Sequence, residues 1–303
     1  MTLTDIRKCF SHFNEHQCTT LAASLAYYTA LALPPLLYLL VMVITAGLTF
    51  VFDDQQSEIR ARELIEHQAG QLLGNQAASD EIGVILQQTR NSSGQWWKTS
   101  ISLIGVLIAA SGLIGALQDS LNRVWRVKPD PSKTWLASLF LQRIFSLAMV
   151  VAVGFLLLVS LILSTILTII GERVAGKHEV EALVASSINY FIQVLLMLVI
   201  FMGIFKWMPS ARIRWRDVLV GTVLTTTLFF VGQVAMGFYF SHFEAAAALG
   251  SAATSLAVIL IWVYYNAIIV LFGAVVTQVY VESQGMTVVA ADGAVRVVEI
   301  VAD

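Results

Sequence analysis

His12-Phe13-Asn14-Glu15-His16 spells H-x-x-E-H, a pattern in which two histidines one helical turn apart could hold a zinc ion beside a carboxylate base. A catalytic zinc also needs a third ligand and a walled cleft, and this short segment precedes the first long apolar run with few partners near it in sequence. The expectation is therefore no metal, no cofactor and no enzymatic activity. His67, His178 and His242 fall on separate connections and form no cluster. Cys9 and Cys18, nine residues apart, match no zinc or redox spacing and read as free thiols. Neither a G-x-S-x-G elbow nor a phosphate-cradling P-loop is present.

A second group of residues could serve passage rather than catalysis. Asp119, Arg123 and Arg126 continue a helical face of small residues, Gly105, Ala109, Gly112 and Ala116. Ionisable groups at a membrane edge are functional candidates by default, and this set could gate the mouth of a cavity; an interfacial ion pair that fixes helix depth is the plainer alternative. Pro34-Pro35 frees carbonyls in the preceding turn, so the helix should kink or break there, as around a buried solute site; the plainer readings are a packing kink, or the true start of the span with Cys18 to Leu33 as a separate short helix. Gln193, Gln233, Asn266, Gln278 and Thr225 to Thr227 are the sparse polar groups of the apolar stretches. They suffice for interhelical hydrogen bonds, and Gln233 and Asn266 could also line a path for a neutral or amphipathic solute.

The elements that must carry these residues are transmembrane helices. The 303 residues are 57% hydrophobic and 13% charged, with a mean hydropathy of +0.77. An ordinary soluble chain is about a quarter charged. The net charge of −2 supplies no basic field for nucleic acid. Six stretches reach the roughly 20 apolar residues that a bilayer core about 30 Å thick requires. They run near 25–51, 99–118, 139–170, 183–205, 218–240 and 252–279. The predicted fold is all-α: one bundle of six transmembrane helices over 25–281, with an N-terminal segment 1–24 and a tail 282–303. Lysine and arginine mark the cytoplasmic side, and twelve of the eighteen fall on the N-terminus, the second and fourth connections and the tail, which makes both termini cytoplasmic. The outer loop 52–98 carries Ile59, Leu64, Ile65, Leu72 and Leu73, spaced for an amphipathic helix on the outer surface. In the tail, two β-prone runs flank Asp292-Gly293, a hairpin signal. An isolated hairpin is marginal in water, so the tail is expected either disordered or paired with a strand of another copy or protein.

Four segments in order, AASLAYYTALALPPLL (22–37), ALQDSLNRVWRV (116–127), FKWMPSARIRWRDVLVG (205–221) and GSAATSLAVILIWVYYNAIIVLFGA (250–274), resemble the YihY/BrkB family of bacterial inner-membrane proteins. The resemblance spans nearly the whole chain and implies a six-helix membrane domain without a known cofactor. A ribonuclease label once attached to that family gains no support from these residues. One departure stands out: where many relatives carry a glutamate after the Gly-Ala of the last span, this chain has Gly273-Ala274-Val275. The expectation for function is a transporter or exporter of an amphipathic or lipid-like solute in contact with membrane lipids. The competing reading is a non-transporting scaffold or envelope-integrity factor.

Overall fold

The structure is a computed structural model that describes residues 3–48, 59–61, 112–130, 179–242, 252–291 and 293–297. Helix α1 (Leu3–Glu15) begins with Asp5 in its first turn, where a carboxylate suits the positive end of the helix dipole. It turns inward Cys9, His12, Phe13 and His16, a stripe at helical spacing. The chain then passes through Gln17 at φ 53°, whose N–H donates to the Asn14 carbonyl, and starts α2 (Cys18–Leu48). Helix α3 covers 112–124 of the described residues. Then come α4 (Glu179–Trp207), α5 (Trp215–His242) and α6 (Ala252–Ser283).

Among the described residues, three stretches are long and apolar enough to cross a membrane: Tyr190–Trp207, Trp215–Phe238 and Ile259–Ser283. They overlap the last three expected spans, running past their bounds by two to four residues at one end. The first expected span lies on α2. Most of the second, all of the third and nearly all of the outer loop lie outside the described residues. The α6 stretch is 50% buried and the α4 stretch 17%, so among the described spans α6 is the most enclosed and α4 the least. Phe191, Leu195 and Val199 on α4 and Val231, Val234 and Phe238 on α5 are exposed. Such surface is costly in water and ordinary against lipid chains.

Helix α6 packs against α1, α2 and α5. Phe10 and Phe13 of α1 meet Phe272 at ring separations of 5.7 and 5.8 Å. Against α5 the approach is backbone to backbone: a Cβ added at Gly273 would strike the Thr225 hydroxyl and lie 3.2 Å from the Gly221 carbonyl oxygen. Thr225 Oγ1 donates across this crossing to the Ile269 carbonyl at 3.4 Å. Further along, the Tyr265 hydroxyl donates to the Leu228 carbonyl at 2.6 Å.

Two features differ from expectation. The backbone of α2 is helical without interruption through Pro34-Pro35, so Cys18 to Leu33 is continuous with the span rather than a separate helix. Proline keeps a helical φ, and freed carbonyls in a membrane helix can be satisfied by neighbours. Over its described residues the tail pairs within the chain. Strands β3 (Val289–Ala290) and β4 (Ala294–Arg296) pair with this chain's own connections, β2 (Ala211–Arg212) and β1 (Val127–Pro129). Both pairings are antiparallel, with Arg212 opposite Val289 and Lys128 opposite Val295. Between the strands the chain turns at Gly293, φ 89°, whose carbonyl accepts from the Asp130 N–H at 2.9 Å. Partners in the same chain stand at high effective concentration, which a two-stranded hairpin in water lacks. Through these pairings the end of α1, the connections after α3 and α4, and the tail all meet at one end of the bundle.

Candidate functional site

At that end lies a cavity of about 590 Å³. Helix α3 supplies its first wall. Asp119, Asn122 and Arg123 stand three and four residues apart on one helical face, and Arg126 follows after the last turn. The helix ends because the chain swings through the left-handed region at Arg126, φ 51°, with its N–H donating to the Arg123 carbonyl at 3.1 Å. A side chain in that region costs about 1–2 kcal/mol, and glycine is the usual occupant. Here the Arg126 carbonyl accepts from the Val297 N–H at 2.8 Å, which starts the β1–β4 ladder, and its guanidinium donates to Glu15 at 2.7 Å. The ion pair joins the end of α1 to the end of α3. With side chains 41% and 46% exposed it contributes at most about 1 kcal/mol, so its role is placement.

Lys128 and Pro129 of β1, Val297, His16 and Glu15 also line the cavity. Asn122 is 3% exposed, and its Oδ1 accepts from the Ser210 N–H at 2.7 Å, tying α3 to the connection before β2. Among the described residues its Nδ2 has no hydrogen-bond partner, and His16, 6% exposed, is also buried. Burial first, then the Arg126 charge, holds the His16 pKa below the ordinary histidine value; Glu15 and the Gln278 side chain pull the other way, and His12 adds to the lowering. Burial pushes the Asp119 carboxyl up.

Of the residues singled out in the sequence, Asp119, Arg123 and Arg126 are brought together here, and Glu15 and His16 of the H-x-x-E-H pattern join them. The His12 and His16 rings are 6.0 Å apart and edge-on. Among the described residues no group of three His, Cys, Asp or Glu side chains is placed to hold a metal ion. Cys9 and Cys18 are free and buried, and burial pushes the Cys18 thiol up to about 12. Pro34 and Pro35 lie along α2, and Gln233 and Asn266 are not among the described residues that line the cavity. The Asn266 amide donates to the Trp262 carbonyl of its own helix at 2.7 Å. Sequence reasoning did not single out Asn122 or Lys128, although Asn122 sits at helical spacing from Asp119 and Arg126.

The sequence profile for virulence factor BrkB matches residues 9–294, from α1 to the first residue of β4. The chain belongs to the BrkB family. It is similar to a UPF0761 membrane protein of Tolumonas auensis, 25% identical over 268 residues, covering 87% of this chain and 81% of the relative. It is likewise similar to a putative ribonuclease-like protein, YfkH, of Bacillus subtilis, 25% identical over 277 residues, covering 88% of this chain and 92% of the relative. A UPF0761 membrane protein of Aliivibrio salmonicida is 26% identical over 265 residues, covering 88% and 79%. No solved structure matches. The family is one of membrane proteins, and no catalytic name follows from membership in it.

Proposed function

We propose that this protein moves an amphipathic or lipid-like solute across or out of a bacterial cytoplasmic membrane, with both termini in the cytoplasm. The observation that carries the reading is the cavity itself: a concave, charge-lined space at the end of a bundle whose outer helices present apolar side chains. Such a pairing suits a molecule with a polar head and an apolar body. The head would be received among Arg123, Arg126 and Asp119, while the body stays against the exposed faces of α4 and α5. Pro34, Pro35, Gln233 and Asn266 belong to the part of the path within the bilayer. The competing reading, a scaffold, would recruit a partner through the strand edges that the two-stranded β1–β4 and β2–β3 ladders leave open.

Reconstitution into liposomes with a fluorescent anionic amphiphile, and quenching of the outer leaflet, reads movement directly. The wild-type chain should accelerate exchange between leaflets. Asp119→Asn should slow it several-fold at equal amounts of folded protein. An exchange rate equal to that of empty liposomes would remove transport from consideration, and an unchanged rate in Asp119→Asn would remove the cavity from the path.

A further inference from the structure

We propose that the cavity is a phosphate-binding site, taking either the headgroup phosphate of an anionic amphiphile or a free phosphate ion. The inference names the ligand chemistry of the site described above and rests on that cavity being where a solute's polar head is received. Three cationic side chains line it: Arg123, Arg126 and Lys128. Positive charge alone would describe many membrane edges. The deciding feature is a buried donor without an acceptor. Asn122 is 3% exposed, and its Oδ1 is committed to the Ser210 N–H at 2.7 Å. That bond fixes the amide's orientation, because a flipped amide would set its NH2 group against another donor. Nδ2 is thereby held as a buried donor, on a residue that lines the cavity, with no acceptor among the described residues.

These groups select an anion over a cation. An amide NH2 and a guanidinium cannot ligate a metal ion, whereas phosphate oxygens accept from both. Of the two acids in the lining, Glu15 is already bonded to Arg126 and Asp119 stands one helical turn before Arg123, so the three cations outnumber the acids and leave positive charge for an incoming anion. Arg126 engages Glu15 through Nη2, and its remaining N–H groups stay available. Against a phosphate the orphaned Asn122 donor, the fork of Arg123 and the Lys128 ammonium would converge as charge-assisted hydrogen bonds.

The test uses the full chain in a neutral detergent, with short-chain phosphatidylglycerol, phosphatidylcholine of the same chains and inorganic phosphate as probes, and bound probe counted by native mass spectrometry. Phosphatidylglycerol should bind saturably and be displaced by inorganic phosphate. Asn122→Asp keeps the acceptor for Ser210 but replaces the donor by negative charge, and should weaken binding roughly tenfold or more. Arg123→Gln, at an exposed position that does not endanger folding, should do the same. Phosphate binding without lipid binding would support the site and assign it a soluble ligand. Binding of neither probe, or binding that both variants leave intact, would overturn the proposal. Binding without movement in the liposome experiment would sink transport and leave this site standing; movement without binding would do the reverse.

Discussion

His16 is surrounded by groups that pull its charge in different directions: Arg126 and His12 disfavour the imidazolium, Glu15 and Gln278 favour it, and burial settles the contest for the neutral ring. A histidine whose folded pKa lies below its unfolded one has a definite signature. Above the ordinary value of about 6.5, both states are neutral and no stability depends on the group. As pH falls through that value the unfolded chain takes up a proton that the folded chain refuses, so stability declines until the depressed folded pKa is reached. The melting temperature in detergent should therefore fall as pH drops below about 6.5. His16→Gln should flatten that slope while Arg126, Glu15 and Gln278 remain in place. A slope of equal steepness in the variant would show that another group governs it. The sequence made Asp119, Arg123 and Arg126 legible because helical spacing puts them on one face. Glu15 was visible only through a metal pattern, since its partner Arg126 lies 111 residues away. The fixed donor of Asn122 depends on Ser210, 88 residues away, and spacing along one helix cannot reveal it.

Helices α5 and α6 show how small residues set an interface where no hydrophobic drive separates protein from lipid. In the sequence the step pattern of Gly105, Ala109, Gly112 and Ala116 drew attention, yet a Cβ added at Gly112 would meet Tyr28 only at 4.0 Å, and Gly105 and Ala109 lie outside the described residues. The close approach is instead at Gly221 and Gly273, single glycines on different helices, and sequence cannot pair them because their register follows from the crossing itself. Of Thr225 to Thr227, read from the sequence as interhelical hydrogen-bonders, Thr225 does bond to the α6 backbone, whereas Thr227 donates to the Val223 carbonyl of its own helix and Thr226 has no partner among the described residues. Gly273→Ala places a methyl against the Thr225 hydroxyl and 3.0 Å from the Phe205 ring, with no flexible chain end to yield. It should destabilise the protein by about 1–3 kcal/mol, the range for overpacking a close-packed site. Gly203→Ala on α4, where the new carbon would meet the Trp207 ring at an ordinary 3.4 Å, should be near neutral. Melting of both variants in the same detergent checks the contrast. Equal losses would point to helix backbone effects in place of the crossing.

At the scale of the whole molecule, charge and contact lead to the same topology by independent routes. Counting lysine and arginine assigns the N-terminus, the second and fourth connections and the tail to one side. The β1–β4 and β2–β3 ladders and the Glu15–Arg126 bond bring those same four segments together at one end of the bundle. The contacts carry no information about which compartment that end faces; the charge bias carries no information about contact. Reporter fusions at the N-terminus and after Asp303, one active only in the cytoplasm and one only outside it, separate the two. Both ends should report cytoplasm. Both reporting the outside would leave the fold intact and overturn the orientation drawn from charge. Opposite sides would contradict the strand pairing, since α1 is tied to β1 through Arg126 and β1 to the tail through Val297, and no bilayer can lie between segments joined by hydrogen bonds of 2.7 and 2.8 Å.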